Sequence, residues 1–123
     1  MSQTQRIPPG GYYVKNYAPY IGDTIAESFT VMEAGVAADV ASETWKMRIE
    51  DSATGTEFLT ITNGSGITFP SAGMVKWVLS AAQTSNFLPK RRYRYDIQRT
   101  KPDGTVKTIQ RGEIIPTKDI TPA

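Results

Sequence analysis

The chain contains neither cysteine nor histidine. Without cysteine, disulfides, thiolate nucleophiles and thiolate metal sites are excluded. Without histidine, the side chain most used for proton transfer near neutral pH is missing, and so is the commonest metal ligand. Long apolar runs are absent as well. No stretch approaches the ~20 residues that a membrane-spanning helix needs, and the N-terminus lacks the basic and apolar regions of a signal peptide. The expectation is a protein made in the cytoplasm without processing. Its 123 residues suit one domain with a substantial core.

Carboxylates do not gather into a catalytic pattern either. Glu50-Asp51 is the single adjacent acidic pair. At the end of a strand that runs into a glycine turn, it reads as a solvated turn pair rather than an acid–base couple. A cation site built from Asp51, Thr54 and Glu57 falls short of the carboxylates of an oxygen-rich loop. Asn63-Gly64-Ser65-Gly66 lacks the lysine and the strand–loop–helix setting of a phosphate-binding loop, so it reads as a connector. Arg111-Gly112-Glu113 is not an adhesion tripeptide, and Gly112 reads as a bulge or bend in the last strand. These absences point to a non-enzymatic protein with no cofactor, no metal and no small-molecule substrate.

Strand periodicity is what the chain does have. Residues 88–115 form its centre, with Tyr93, Tyr95 and Ile97 alternating with Arg92, Arg94, Asp96 and Gln98. Lys101-Pro102-Asp103-Gly104 supplies turn chemistry, and residues 106–109 resume the strand, so a β-hairpin is predicted. Thr44 to Glu50 is the clearest alternation, placing Trp45, Met47 and Ile49 inward, with residues 57–62 as its hairpin partner. Residues 24–31 put Ile25, Phe29 and Val31 on one face, interrupted by Glu27. Residues 74–80 put Val75, Trp77 and Leu79 in step. Residues 36–41 read as a weak edge segment. A Ser80 cap begins a helical turn or two that Pro89 ends.

About seven or eight short strands with hardly any helix predict an all-β, immunoglobulin-like antiparallel β-sandwich, with a small closed barrel as the alternative. The expected core is Phe29, Trp45, Met47, Ile49, Trp77, Leu79, Tyr93, Tyr95 and Ile97. Leu88-Pro89 followed by Tyr93 or Tyr95 has the form of a tyrosine corner.

The domain is expected to span 22–115, between an extended N-terminal arm over 1–21 and a C-terminal tail over 116–123. The arm holds Tyr12, Tyr13, Tyr17 and Tyr20 among prolines and glycines. Tyrosine gives large contact area for little entropy, so this segment reads as an interaction arm for a neighbouring subunit, with a frayed terminus as the alternative. Charge is uneven too. Residues 90–111 carry eight cations against two anions, whereas residues 1–89 carry five against eight. Lys90, Arg91, Arg92 and Arg94 therefore read as a partner-facing basic strand. Nucleic acid is disfavoured, because alternation turns the neighbouring tyrosines into the core instead of interleaving them with the arginines.

One ordered set of motifs runs through the chain: Gly22-Asp23-Thr24 and Phe29-Thr30-Val31, then Trp45-Lys46-Met47-Arg48-Ile49 and Thr54-Gly55. Leu79-Ser80-Ala81-Ala82-Gln83-Thr84, Leu88-Pro89, Tyr93 and Tyr95-Asp96-Ile97 follow, and Pro102-Asp103-Gly104, Val106 and Arg111-Gly112 close it. Over about residues 22–121, this order resembles small immunoglobulin-like β-sandwich proteins of tailed bacteriophages, the group related to the N-terminal domain of the baseplate upper protein. Asp39-Val40-Ala41-Ser42 matches that group only loosely, and the tyrosine-rich arm is not part of its pattern.

The resemblance implies a virion structural protein with no catalytic residues, a docking or adaptor module of tail, baseplate or neck. Its partners would be other virion proteins and copies of itself, with no membrane involved. Head decoration or head-fibre attachment is an alternative reading. A carbohydrate-binding sandwich, with loop or arm aromatics on sugar rings, is another.

Overall fold

A computed structural model describes residues 12–118. Its strands are β1 (Tyr13–Val14), β2 (Ile25–Thr30), β3 (Met32–Glu33), β4 (Val36–Ala37), β5 (Thr44–Asp51), β6 (Glu57–Asn63), β7 (Gly66–Thr68), β8 (Met74–Leu79), β9 (Tyr93–Thr100) and β10 (Val106–Ile114). One short helix, α1 (Ala81–Thr84), and a 3-10 turn at Val40–Ser42 complete the set.

Eight strands share one sheet in the order β1-β10-β9-β5-β6-β7-β8-β2, while β3 and β4 pair separately. The two ends, β1 and β2, are not neighbours in that order, so the sheet curls into two layers without closing as a barrel. Aromatic contacts mark the layers' meeting. Phe29 of β2 lies 5.8 Å from Trp45 of β5, and Trp77 of β8 takes the ring of Tyr17 edge-on at 5.5 Å. The architecture is an all-β, immunoglobulin-like sandwich.

Alternation decides which side chains fill it. Trp45, Met47 and Ile49 from β5, Tyr93, Tyr95 and Ile97 from β9, and Val75, Trp77 and Leu79 from β8 are all buried, as is Phe29. Each large apolar side chain removed from water contributes about 1.5–3 kcal/mol. The Trp45 indole N–H donates to the Val40 carbonyl at 3.0 Å, which fastens the 3-10 turn to β5. Ser80 and Gln83 form a reciprocal capping box at the start of α1. The tyrosine corner is Tyr93, whose phenol oxygen accepts the Leu88 N–H at 3.1 Å.

The β9–β10 hairpin turns at residues 101–105, where Asp103 accepts the Thr105 N–H at 2.8 Å. Its register slips between Thr108 and Gln110, so the bulge lies at Ile109 and not at Gly112. Residues 36–41 are not a continuous edge segment either. Val36–Ala37 pairs back on Met32–Glu33. The two residues between, Ala34 and Gly35, have φ of 50° and 80°, the double positive φ that twists a tight hairpin correctly.

The N-terminal segment is extended, but it belongs to the sandwich. Tyr13 and Val14 pair in parallel with Gln110 and Arg111, and isolated bridges at Tyr17–Ile114 and Tyr20–Thr117 carry the contact onward. Pairing therefore passes both boundaries expected from sequence, at 22 and at 115. Gly112 explains how the segment comes so close. A Cβ there would lie 2.0 Å from the Lys15 carbonyl oxygen, so only glycine lets the two backbones pack. Residues 1–11 of the expected arm and 119–123 of the expected tail lie outside the described residues.

Candidate functional site

The arm tyrosines divide by parity. Tyr13 and Tyr17 pack against the core, whereas Tyr12 and Tyr20 are exposed. Tyr17 is held by a polar relay. The Gln110 amide donates to the Tyr17 phenol at 3.1 Å and to the Tyr95 phenol at 2.9 Å, and Tyr95 donates to the Lys15 carbonyl at 2.6 Å. Burial is the main reason the phenol of Tyr95 is pushed up to about 12, and burial raises Tyr17 further. Lys15 reaches back to Glu27 at 3.3 Å, so the residue that interrupts β2's alternation receives the segment's own cation. Tyr17 is thus engaged within its own domain instead of being presented to a neighbour.

The basic run is not a free cationic strand. Lys90, Arg91 and Arg92 precede β9, and Lys90 takes a left-handed backbone with φ of 63° while its N–H donates to the Pro116 carbonyl. Arg91 pairs with Asp51 at 2.6 Å, Arg92 with Glu113 at 3.2 Å, and Arg94 with Glu50. The carboxylates come from the end of β5 and from β10, at sequence separations of 40, 21 and 44 residues. Asp51 titrates below its usual range: desolvation is the largest single influence and raises it, but the Ala53 N–H, the hydrogen bond and charge of Arg91 and the Thr54 N–H together outweigh it. The two adjacent acids of the sequence are therefore consumed in ion pairs. Among the described residues, no group of three or more His, Cys, Asp or Glu could hold a metal ion. No helix among them is long and apolar enough to cross a membrane.

Arg99 was missed by the sequence reading, although parity could have found it. It continues the inward series Tyr93, Tyr95, Ile97 and is 4 % exposed. Its guanidinium grips the Glu43 carboxylate with two nitrogens, at 2.9 and 2.7 Å, reaches Glu33 at 3.0 Å, and lies 5.8 Å from the Trp45 ring. Bidentate geometry of this kind satisfies a charge that burial would otherwise leave costly. It ties β9 to the β3–β4 hairpin and the 3-10 turn.

The outer face of β10, β9 and β5 holds an open groove of about 620 Å³. Cross-strand register puts Val14, Arg111, Asp96 and Arg48 in one row. Glu113, Arg94 and Glu50 form the next row. The arginines of the first row lean away from Asp96. Arg48 pairs with Glu50 at 3.4 Å and Glu57 at 3.7 Å, and Arg111 lies over the Tyr12 ring at 4.7 Å. Asp96 is left half-buried, with neither hydrogen bond nor ion pair to its carboxylate among the described residues. Burial, then repulsion from Glu50, raises its pKa against the weaker pull of Arg48 and Lys46.

No family model matches the sequence, and no curated protein does. Solved structures that resemble the chain include the N-terminal domain of phage TP901-1 ORF48, at 13 % identity and a TM-score of 0.49, covering 95 % of this chain and 98 % of that one. CopC from Methylosinus trichosporium OB3b matches at 15 % identity and a TM-score of 0.40, covering 92 % of each chain. The V domain of amphioxus IgVJ-C2 matches at 10 % identity and a TM-score of 0.29, over 94 % of this chain and 99 % of that one. At these identities and scores the likenesses carry no argument about function.

Proposed function

We propose that the protein is a non-enzymatic structural component of a tailed-bacteriophage virion, a sandwich that docks onto a larger assembly through its N-terminal edge strand. The ordered motifs over residues 22–121 support the virion reading. The observation that carries the docking reading is the outward side of the N-terminal segment. Tyr12 and Tyr20 are 44 % and 47 % exposed and Val14 is 65 % exposed. Val14 lies on β1, at the end of the sheet order, with no strand on its other side among the described residues, and Tyr12 and Tyr20 lie before and after it on the same segment. An edge with apolar side chains is a template for pairing with another chain. The charged residues nearby, by contrast, are largely neutralised within the domain. The partner is another virion protein or a neighbouring copy, engaged by tail, baseplate or neck.

The test is particle composition. Gradient-purified virions should contain the wild-type chain by mass spectrometry. A doubly substituted chain, Val14→Asp with Tyr20→Asp, should fold with an unchanged circular dichroism spectrum yet be lost from particles. Absence of the wild-type chain from particles would overturn the virion reading. Undiminished incorporation of the double variant would overturn the edge-strand reading.

A further inference from the structure

The groove over β5, β9 and β10 holds the sole carboxylate of that face that the domain leaves without an ionic partner among the described residues. Its neighbours make the omission informative. Arg111 stands directly opposite Asp96 on β10, and Arg48 directly opposite on β5, so an ion pair needs only a change of rotamer. Instead Arg111 lies over Tyr12 and Arg48 turns to Glu50 and Glu57. An acceptor with a raised pKa, set in a concavity and left unpaired beside two donors, costs stability and is a mark of binding sites.

The chemistry of the occupant follows from the charges. Arg48, Arg94 and Arg111 balance Glu50, Asp96 and Glu113, so a ligand of either net charge meets a like charge in the groove. A neutral ligand rich in hydroxyls avoids that repulsion. Its hydroxyls donate to the carboxylate, which only accepts, and accept from guanidinium, which only donates. Val14, at the β1 side of the row, lines the groove and offers apolar contact to the C–H face of a pyranose ring. The groove lies within the ~300–1,000 Å³ usual for small-ligand sites, and its open form suits a chain of sugar units. We propose that this groove binds a neutral saccharide, with Asp96 accepting and Arg111 donating hydrogen bonds to neighbouring hydroxyls. Val14 serves both this proposal and the docking reading, but Asp96 and Arg111, which carry this one, play no part in docking.

The experiment is an amide-resolved NMR titration of the full chain with four probes, maltose, lactose, cellobiose and chitobiose, each to about 50 mM, deep into the weak range of affinities. At least one probe should give saturable shifts centred on Asp96, Arg111 and Gly112. Asp96→Ala and Arg111→Ala should each weaken that response by about tenfold or more, the equivalent of one lost polar contact. Lys107→Ala, away from the groove, should leave it unchanged. Arg111→Ala removes a solvent-facing side chain, so it keeps the test decisive even where Asp96→Ala fails to fold. Silence from all four probes, shifts centred elsewhere, or an undiminished response in both groove variants would overturn the proposal. Stronger shifts with glucuronate or with a lysine amide would overturn the choice of a neutral ligand.

Discussion

Gly112→Ala adds one methyl group and should loosen the whole N-terminal segment. The new carbon would sit 2.0 Å from the Lys15 carbonyl oxygen and 2.9 Å from Asn16 Oδ1. Carbon–oxygen contacts need about 3.3 Å, so the segment must retreat by more than roughly 1 Å. Three hydrogen bonds converge on that point: Lys15 N–H to Arg111 O at 2.9 Å, Tyr95 O–H to Lys15 O at 2.6 Å, and Glu113 N–H to Asn16 Oδ1 at 2.9 Å. Losing two of them costs about 2 kcal/mol in total, and crowding adds about 1–3 kcal/mol. The stiffer unfolded chain returns only about 0.4–1 kcal/mol.

The net loss is then about 2–4 kcal/mol, or a fall in Tm of roughly 10 °C for a domain of this size. Urea denaturation followed by tryptophan fluorescence measures the loss, and Trp77 reports directly because Tyr17 packs on its ring. Hydrogen exchange should speed up first at Lys15 and Tyr17. A loss under about 0.5 kcal/mol, within the noise of ordinary surface changes, with unaltered protection of those amides, would refute the close packing of this segment on β10.

Two further outcomes follow from buried polar groups. Arg99→Met should cost about 3–5 kcal/mol because it strands the Glu43 carboxylate, while pairing it with Glu43→Gln should recover much of the loss; additive costs in a denaturation cycle would contradict the pairing. Stability should also fall in alkali. The folded-state pKa of Tyr95 is pushed up to about 12 and that of Tyr17 rises further, so their contribution is whole below the ordinary tyrosine range near 10 and is lost as pH climbs through the folded values. The urea midpoint should drop between about pH 10 and 12, less steeply in Tyr17→Phe, and an identical slope in both chains would count against the burial of that phenol.

Local pattern was enough for much of the sandwich. Trp45, Met47 and Ile49, like Tyr93, Tyr95 and Ile97, announce their faces by a period of two. Lys101 to Gly104 announces its turn, and Ser80 its helix cap. The N-terminal segment was not legible in this way. Its named strand is two residues long, too short for any period to register. Its placement depends on Gln110, Gly112 and Trp77, all distant in the chain. The basic run misled for the same reason, since Asp51, Glu50 and Glu113 reach it only after the strands have paired. The groove row was implicit in the outward parity of Arg48, Asp96 and Arg111, but register across three strands is what lines them up. Arg99 could have been found, because the inward series that includes Tyr95 and Ile97 simply runs on into it.

The parallel alignment of the N-terminal segment with β10 and the residues after it has a mechanical consequence. The segment enters beside Gln110 and ends beside Thr117, so the described part of the chain, residues 12–118, begins at one end of this contact and finishes at the other. Tension between the ends acts along the paired backbones, in shear. The bonds from Lys15 to Arg111, Tyr17 to Glu113, Ile115 to Tyr17, Thr117 to Pro19 and Ile21 to Thr117 then share the load together rather than opening one after another. A module linked at both ends within a strained assembly would thus resist extension at the same seam that Tyr17 seals.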